Sequence, residues 1–288
     1  MPAIGVVIRT LDEERLIGTC LETLSRQHTS LDLDVLVVDS GSQDATIAIA
    51  RSHGARVFEL APGEFDYSSS LNAGIERVAG DLVLILSAHA VPADLRWVER
   101  MAAPFADPQV AGVSARQLPW GDAPWREVLR LTRQFGGERR VFAPGGGEQP
   151  LFSNAASCIR RSVWRDRPFT LPAAEDLDWA RGVVAAGHSI VYEPAAAVHH
   201  SHLESPRAQA QRLIDVNRIS GGESRTRRRT LREAAGLLYR DSGSILGLDE
   251  PPRRKLSHLV ELTQTVSYYV YDFSRSGTTA ERRRARSG

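Results

Sequence analysis

The sequence has little of several features that define large classes of protein. Its 288 residues include two cysteines, Cys20 and Cys158, which are too few for a disulfide framework. No apolar run approaches the roughly 20 residues that a membrane-spanning helix needs, and the start of the chain lacks the basic residues and long apolar stretch of a secretory signal. We therefore expect a globular protein that resides in the cytoplasm.

Two common phosphate-binding loops are also absent. After the first apolar run, residues 4–8, the sequence continues Arg9-Thr10-Leu11-Asp12-Glu13-Glu14, which is acidic and contains no glycine. Such a segment cannot wrap around a pyrophosphate as the glycine-rich loop of a dinucleotide-binding protein does. A Rossmann dehydrogenase is therefore disfavoured, and the lack of a Walker loop argues against a P-loop NTPase.

Net charge is nearly absent from the whole chain but not from its parts. The chain has 36 basic and 35 acidic side chains, and its net charge of +1 combines −6 over residues 1–202 with +7 over residues 203–288. The arginine-rich runs 225–229 and 282–286 are interpreted first as solvated surface and second as attraction to an anionic membrane. Few aromatic residues lie among these arginines, so nucleic acid is not an expected partner.

The first 115 residues alternate short apolar runs with amphipathic segments. Predicted strands cover residues 4–8, 33–38, 57–60, 82–86, 110–115 and, further on, 190–192; predicted helices cover residues 16–24, 45–53, 71–78, 95–105 and 175–186. Short, fully apolar strands between amphipathic helices indicate an α/β fold, with a mostly parallel sheet flanked by helices.

The rest of the pattern divides the chain. Periodicity is weak over residues 120–150, where Ala143-Pro144-Gly145-Gly146-Gly147 predicts a loop. After residue 202 the pattern is helical only, and one apolar stripe comprises Leu256, Leu259, Val260, Val266, Val270 and Phe273. We expect two domains, 1–202 and 203–288. The second is a basic helical extension that could form a homodimer or a peripheral membrane contact, so the protein could be membrane-associated.

Polar residues follow three of the predicted strands. In parallel sheets, ligands bind beyond the carboxyl ends of the strands. Those ends carry Arg9-Thr10, Asp39-Ser40 and Ser87-Ala88-His89, and a site is expected where they meet. The carboxylate of Asp39 can accept hydrogen bonds from a nucleobase imide or a ribose hydroxyl. The alternative is that Asp39 only braces its own turn.

Two further clusters carry ionisable side chains. Glu175-Asp176-Leu177-Asp178 opens a predicted helix, where acidic residues complement the helix dipole. A carboxylate beside another could also act as a general base. In His199-His200-Ser201-His202, extended backbone would place His200 and His202 on one side as a feasible pair of metal ligands. A solvated histidine stretch is the alternative, and a structural zinc site is disfavoured.

The order of the motifs is more specific than any one of them. The succession is Val6-Val7-Ile8-Arg9-Thr10-Leu11-Asp12-Glu13-Glu14, Val37-Val38-Asp39-Ser40-Gly41-Ser42-Gln43-Asp44-Ala45-Thr46, Asn72-Ala73-Gly74, Glu175-Asp176 and the late histidines. It resembles that of family 2 glycosyltransferases over about residues 4–202. Four further segments are similar to those of bacterial rhamnosyltransferase-like members of that family. They are Gly63-Glu64-Phe65, Ser153-Asn154-Ala155, Arg160-Arg161-Ser162-Val163-Trp164 and Glu175-Asp176-Leu177-Asp178-Trp179-Ala180-Arg181.

The resemblance implies a GT-A fold, and transfer of a sugar from a nucleoside-diphosphate donor to an acceptor hydroxyl with inversion at the anomeric carbon. It implies a dTDP- or UDP-linked donor and a small-molecule or glycan acceptor. Asp176 corresponds to the base of the family's Glu-Asp motif. The implied nucleotide-binding residues are Thr10, Glu13, Asp39 and His89, and those for sugar or acceptor are Arg116, Gln117, Asn154 and Glu175.

One departure from the family concerns the metal. Members usually have Asp-x-Asp after the fourth strand, whereas this chain has Ser87-Ala88-His89 and neither carboxylate. A neutral His89 could bind Mn²⁺ or Mg²⁺ together with His200 or His202, although Mg²⁺ prefers oxygen. Alternatively, protonated His89 and nearby arginines could neutralise the diphosphate without a metal. The same loss leaves a second function open, that of a non-catalytic nucleotide-sugar-binding or basic surface-binding protein.

Overall fold

The fold was analysed on a computed structural model of the chain. The structure describes residues 3–61, 63, 65–201, 205–211, 214 and 227–284, with the side chains of 227–229 and 273–284 left out. The chain forms two compact units. The first comprises Met1–Trp120 and Gln134–Ser201, and the second comprises Gly121–Arg133 and His202–Gly288. Whether separate functions divide at the predicted boundary of residue 202 stays a prediction.

The first unit is built on one sheet of nine strands. These are β1 (Ala3–Thr10), β2 (Asp32–Asp39), β3 (Arg56–Glu59), β4 (Leu82–Ser87), β5 (Val91–Pro92), β6 (Val110–Leu118), β7 (Arg140–Phe142), β8 (Ala156–Arg160) and β9 (Ser189–His199). All six predicted strands are present. β5, β7 and β8 were not predicted, because runs of two to five residues carry too little periodicity to be recognised.

The sheet is mixed, with a parallel half that places the site. Its order is β3-β2-β1-β4-β8-β6-β9-β5, and β7 pairs with β9. β3, β2, β1 and β4 run parallel. β8 lies antiparallel between β4 and β6, while β6 and β9 are parallel to each other. The predicted α/β class and predominantly parallel core are confirmed, with β8 as the strand that makes the sheet mixed.

Helices cover both faces of the sheet. In the first unit they are α1 (Ile17–Ser25), α2 (Thr46–Ser52), α3 (Tyr67–Arg77), α4 (Trp97–Ala102) with a 3₁₀ turn (Ala103–Ala106), α6 (Arg161–Asp166) and α7 (Glu175–Ala185). α3 approaches the sheet closely at Gly74, where an added Cβ would lie 2.6 Å from Cγ1 of Val7. Cys20 and Cys158 are free, buried thiols in the apolar core, and burial raises the pKa of Cys20 to about 12.

The second unit contains α5 (Trp125–Gln134, except its last residue), α8 (Arg227–Leu246) and α9 (Pro252–Arg284). Its core includes Trp125, Leu129, Ala210, Ile214, Ala234, Ile245, Leu262, Val266 and Tyr269. Of the apolar stripe expected on α9, Val266 is buried in this core, whereas Leu256 and Val260 are 63% and 50% exposed; a partner surface for the exposed part stays a prediction. Across the described parts of the chain, no helix combines the length and apolar content needed to cross a bilayer.

Candidate active site

The carboxyl ends of β2, β1 and β4 lie side by side. Thr10 at the end of β1 is the register partner of Asp39 at the end of β2, and Arg9 is the partner of Ser87 at the end of β4. The backbone N–H of Ala88 donates to the carbonyl of Arg9 (3.0 Å), which holds the segment leading to His89 against β1. This is the convergence that the sequence predicted for a parallel sheet.

The carboxylate of Asp39 is buried and braces its own turn. Its Oδ2 accepts hydrogen bonds from the backbone N–H groups of Gly41 (2.8 Å) and Ser42 (2.9 Å), and its Oδ1 accepts one from the Ser42 hydroxyl (2.5 Å). Gly41 has φ +104°, a conformation that favours glycine. The bracing role is therefore real in this structure, and nucleoside binding by Asp39 stays a prediction.

The loops after β1 and β2 are joined by hydrogen bonds. The backbone N–H of Glu13 donates to Thr46 Oγ1, and that of Gln43 donates to Asp12 Oδ1, both at 2.7 Å. Asp12 has φ +53°, which is unfavourable for a residue with a side chain and is often found at functional sites. The loops after β1 and β2 are thus linked directly, next to the strand ends.

Thr10 presents a buried polar atom. Its side chain is 4% exposed, and its Oγ1 has no hydrogen-bond partner within the described ranges. A buried hydroxyl without a partner costs about 1–3 kcal/mol, and a ligand that supplies a donor or acceptor removes this cost. The position of Thr10 beside Asp39 is consistent with its predicted role in nucleotide binding.

Four predicted residues form a chain of contacts at the end of β4. His89 Nδ1 lies 2.6 Å from Glu13 Oε1, and His200 Nδ1 lies 2.9 Å from Gln117 Oε1. The two imidazole rings stack, with centroids 4.8 Å apart and planes at 15°. His200 and Gln117 are buried. The motif after β4 and the late histidines, far apart in sequence, therefore meet at one place.

The histidine pair has the second contacts that metal-bound histidines usually have. A metal-ligating imidazole commonly donates its other N–H to a carboxylate or an oxygen acceptor, as Nδ1 of His89 and of His200 would do here. Within the described residues, no three His, Cys, Asp or Glu side chains are grouped as ligands of one ion. His202, the third predicted ligand, lies outside those residues.

A second group surrounds the start of α7. The Asn154 side-chain amide donates to Glu175 Oε1 (3.3 Å), and its backbone N–H donates to Asp176 Oδ2 (3.2 Å). The hydroxyl of Ser157 donates to Asn154 Oδ1 (2.9 Å), so the amide nitrogen faces Glu175. Asp176 is only partly buried, which leaves its carboxylate reachable by a ligand, whereas Glu175 and Asn154 are buried.

Arg9 supplies the positive charge of this second group. Its Nη1 lies 3.5 Å from Glu175 Oε1, and both side chains are largely buried. Burial raises the pKa of Glu175 above its ordinary value; the Asp176 charge acts in the same direction, and Arg9 opposes it. Burial also lowers the pKa of Arg9, an effect opposed by both carboxylates. The site therefore holds two adjacent carboxyls in different environments.

The predicted site residues that the structure describes thus lie in three places, namely the strand ends with Thr10 and Asp39, the contacts of His89, and the start of α7, with Arg116 apart from them. Arg116 belongs to none of these places, because its guanidinium lies beside Gly137 and its charge acts on Tyr192. The sequence did not indicate roles for Arg9, which contacts Glu175 of the Glu-Asp motif, or for Ser157, which contacts Asn154. The position of Arg9 at a strand end was a signal for the first; nothing in the local sequence marks Ser157.

A mixed sheet with polar residues at the ends of its parallel strands, together with a helix that begins with a partly exposed carboxylate, defines an α/β protein with a candidate ligand site at that edge. The particular family follows from comparison. Residues 5–167, more than half of the chain, match Glycosyl transferase family 2, and the chain belongs to that family. It is therefore a glycosyltransferase that uses a nucleotide-sugar donor, close to rhamnosyltransferase-like members.

The relatives agree with this assignment. The chain is 28% identical to the O-antigen chain rhamnosyltransferase RfbN of Salmonella typhimurium over 223 residues, covering 74% of this chain and 71% of RfbN. The mannosyltransferase PcManGT from Pyrobaculum calidifontis, solved with GDP-Man and Mn²⁺, superposes with a TM-score of 0.58 at 19% identity, covering 94% of this chain and 88% of that one.

A third comparison gives the same fold. S. aureus TarS 1-349, solved with UDP, superposes with a TM-score of 0.56 at 16% identity. The superposition covers 96% of this chain and 92% of the TarS chain. At such low identities the likeness establishes the fold alone. The fold is GT-A, as the resemblance implied.

Proposed function

We propose that the protein is an inverting glycosyltransferase in which Asp176 is the general base. The carrying observation is that Asp176 stands partly exposed at the start of α7, held by the backbone N–H of Asn154, while its neighbour Glu175 is buried against Arg9. The two carboxyls therefore divide two tasks. Glu175 anchors the helix start, and Asp176 remains available to a substrate.

The proposed step is a single displacement. An acceptor hydroxyl loses its proton to the Asp176 carboxylate while its oxygen forms a bond to the anomeric carbon of the donor sugar. The bond between that carbon and the diphosphate oxygen breaks, and the nucleoside diphosphate leaves with the electron pair. Attack from the face opposite the leaving group inverts the configuration, and a base placed at the acceptor side is what this geometry needs.

The donor is proposed to lie over β1, β2 and β4. Thr10, Glu13 and Asp39 would hold the nucleoside, with His89 towards the diphosphate; the buried hydroxyl of Thr10 supports this orientation. A thymine or uracil imide offers both a donor and acceptors to such groups. We therefore propose a dTDP- or UDP-linked sugar. Gln117, Asn154, Glu175 and, from a separate position, Arg116 are proposed to contact donor or acceptor sugars.

The diphosphate needs positive charge, and a divalent ion is proposed to supply it. The contacts of His89 and His200 suit nitrogen ligation of Mn²⁺ better than of Mg²⁺, which prefers oxygen. A divalent ion neutralises charge that develops on the leaving group. The test is turnover in EDTA followed by addition of Mn²⁺ or Mg²⁺. Unchanged turnover in EDTA, with no gain from either ion, would show that His89 and the arginines act without metal.

The decisive experiment compares Asp176→Asn with Asp178→Asn. Both variants remove one carboxylate from the first turn of α7, but Asp178 is exposed and makes no contact in the site. With dTDP- and UDP-sugars, we expect Asp176→Asn to lose about 10²–10⁴-fold in transfer rate, in line with the loss of a general base, and Asp178→Asn to stay near wild type. The anomeric configuration of the product, read by NMR, tests inversion directly.

The second unit is proposed to be an extension that contacts another surface. Its exposed apolar side chains include Leu231, Tyr239, Leu246, Leu256 and Tyr271, and residues 203–288 carry the net charge of +7. An anionic membrane matches both properties, and a second copy of the chain matches the first only. Vesicle flotation with and without anionic lipid, together with solution mass, separates the two.

A further inference from the structure

We propose that Phe65, Tyr67, Leu171 and Leu177 form a platform for the apolar face of a pyranose ring in the acceptor. The four side chains are called the acceptor platform below. The inference rests on the proposed function, because it takes Asp176 as the base, but it adds a substrate class and residues to which no role has been given.

The platform is a concentration of exposed apolar side chains. Phe65 and Tyr67 are each 43% exposed, Leu171 is 42% and Leu177 is 37% exposed. Among the described residues of the first unit, the large apolar side chains exposed to this degree are these four together with Leu11 and Val141. Such a grouping costs solvation energy that a monomeric surface normally avoids, and it commonly marks a ligand-binding surface.

The platform is held in place by α3 and by the segment before α7. The backbone N–H of Tyr67 donates to the Pro172 carbonyl (3.2 Å), and the Ser68 hydroxyl donates to the Leu171 carbonyl (2.5 Å). The rings of Phe65 and Tyr67 pack edge to face with centroids 5.2 Å apart. The aromatic pair and Leu171 are therefore positioned by the fold and do not have to be ordered by the ligand, which lowers the cost of binding.

The platform is connected to the Glu-Asp motif through Arg9 and through α7. The Arg9 guanidinium lies over the Tyr67 ring, 4.7 Å from its centroid, and the same guanidinium approaches Glu175 Oε1 at 3.5 Å. Leu177 directly follows Asp176 on α7. The Arg9 guanidinium thus connects the Tyr67 ring with Glu175, the residue before Asp176.

A pyranose ring matches this arrangement. It has an apolar face of C–H groups and a rim of hydroxyls, so apolar side chains can cover the face while a carboxylate at the edge takes the proton of one hydroxyl. An aromatic surface beside a few polar groups is the usual composition of a small-molecule site. The nucleoside is proposed to lie at Thr10 and Asp39, so the platform is assigned to the acceptor.

The test measures binding, so it does not depend on turnover. The probes are a fixed panel of methyl and p-nitrophenyl pyranosides, observed by saturation-transfer NMR with UDP or dTDP present. Wild type should bind members of the panel through their ring C–H protons. Phe65→Ala and Tyr67→Ala should bind them about tenfold more weakly, as loss of an aromatic contact predicts. Phe65→Tyr and Tyr67→Phe should retain binding, and Tyr268→Ala, which removes a similarly exposed aromatic ring from the second unit, should match wild type.

Three outcomes would overturn the platform. In the first, the wild type binds no pyranoside in the panel. In the second, the alanine variants bind pyranosides as tightly as the wild type does. In the third, the alanine variants lose affinity for UDP or dTDP instead of for the pyranosides. The last outcome would assign the two rings to the donor base. Failure of the proposed base is seen separately, as normal transfer by Asp176→Asn, and leaves the binding result readable.

Discussion

The imidazole of His89 and the carboxylate of Glu13 lie 2.6 Å apart, Nδ1 to Oε1, and join the loop after β4 to the loop after β1. A carboxylate at this distance orients the ring and fixes which nitrogen faces the ligand. Under the proposed function, Glu13 would act through His89 as a positioning residue.

Glu13→Gln is expected to reduce either activity or apparent Mn²⁺ affinity by about 10–100-fold, the usual effect of removing such a partner from a metal-bound histidine. Steady-state kinetics over a range of Mn²⁺ concentrations measure both. Glu22→Gln is the control, since Glu22 forms an exposed ion pair with Arg26 on α1. Equal kinetics for Glu13→Gln and Glu22→Gln would remove Glu13 from the site.

Asn154 links the two carboxyls of the Glu-Asp motif, and its loss should be seen in stability. Asn154→Ala leaves buried Glu175 without one of its donors, so the free energy of unfolding should fall by about 1–3 kcal/mol. Ser157→Ala removes one hydrogen bond, whereas Asn154→Ala removes a partner from both Glu175 and Ser157, so Ser157→Ala should cost less, about 0.5–1.5 kcal/mol. Urea unfolding gives both values, and the opposite order would contradict the assigned roles.

Glu175 should make stability depend on pH in a defined direction. Its pKa is raised in the folded protein, so between its ordinary pKa and the raised one the folded state binds more protons than the unfolded state. The contribution of this group to stability is fully present below that window and is lost as the pH rises through it. Glu175→Gln cannot titrate and lacks this loss.

The measurement is urea unfolding of wild type and Glu175→Gln from acidic to neutral pH. The stability of the variant relative to wild type should rise across the window and stay constant on either side. A constant offset from the lost contact with Arg9 is expected and does not affect this trend. Parallel curves at all pH values would show that Glu175 titrates as it does in the unfolded chain.

Much of the sheet could be predicted because its strands are buried on both faces. Runs such as 4–8 and 82–86 are continuously apolar, and their polar ends mark the site edge. β8 could not be recognised, since five residues with one charged end do not distinguish a strand from a buried turn. Asn154, which contacts the Glu-Asp motif, lies just before this strand, so that contact could not be predicted either.

The grouping of side chains was less predictable than their identity. Gln117 and His200 were both named, but their contact depends on the parallel pairing of β6 with β9, which no local pattern encodes. Arg116 was named beside Gln117, although successive residues on a strand point to opposite faces. In the sequence, Phe65 and Tyr67 are ordinary residues of a loop and a helix; only the fold shows that the two rings pack together and that Tyr67 lies under Arg9.

Ala174 precedes the Glu-Asp motif with φ +57°, a left-handed conformation that costs a residue with a Cβ about 1–2 kcal/mol. Ala174→Gly should therefore gain up to about 1 kcal/mol of stability, after the larger entropy of glycine in the unfolded chain is subtracted. Ala173→Gly is the matched control; Ala173 lacks a positive φ, so its change should lower stability. Thermal unfolding of both variants measures these changes. A loss of stability in both variants would contradict the proposed strain at Ala174.

Two helical glycines, Gly74 of the Asn72-Ala73-Gly74 motif and Gly236, should respond oppositely to substitution by alanine. An alanine at Gly74 of α3 would bring its Cβ within 2.6 Å of Val7 and 3.0 Å of Val38, so the helix must move away from the sheet. Overpacking of this kind costs about 1–3 kcal/mol. Gly236 of α8 has open space around it, and Gly236→Ala should instead stabilise its helix by about 0.5–1 kcal/mol.

Hydrogen exchange read separately for the two units distinguishes these effects. Gly74→Ala should lower protection in β1 and β2, the strands that α3 covers, and should weaken catalysis because Thr10 and Asp39 end those strands. Gly236→Ala should raise protection in α8 and leave the sheet unchanged. If Gly74→Ala is as stable as wild type, the glycine is not required by close packing, and its place in the motif needs another cause.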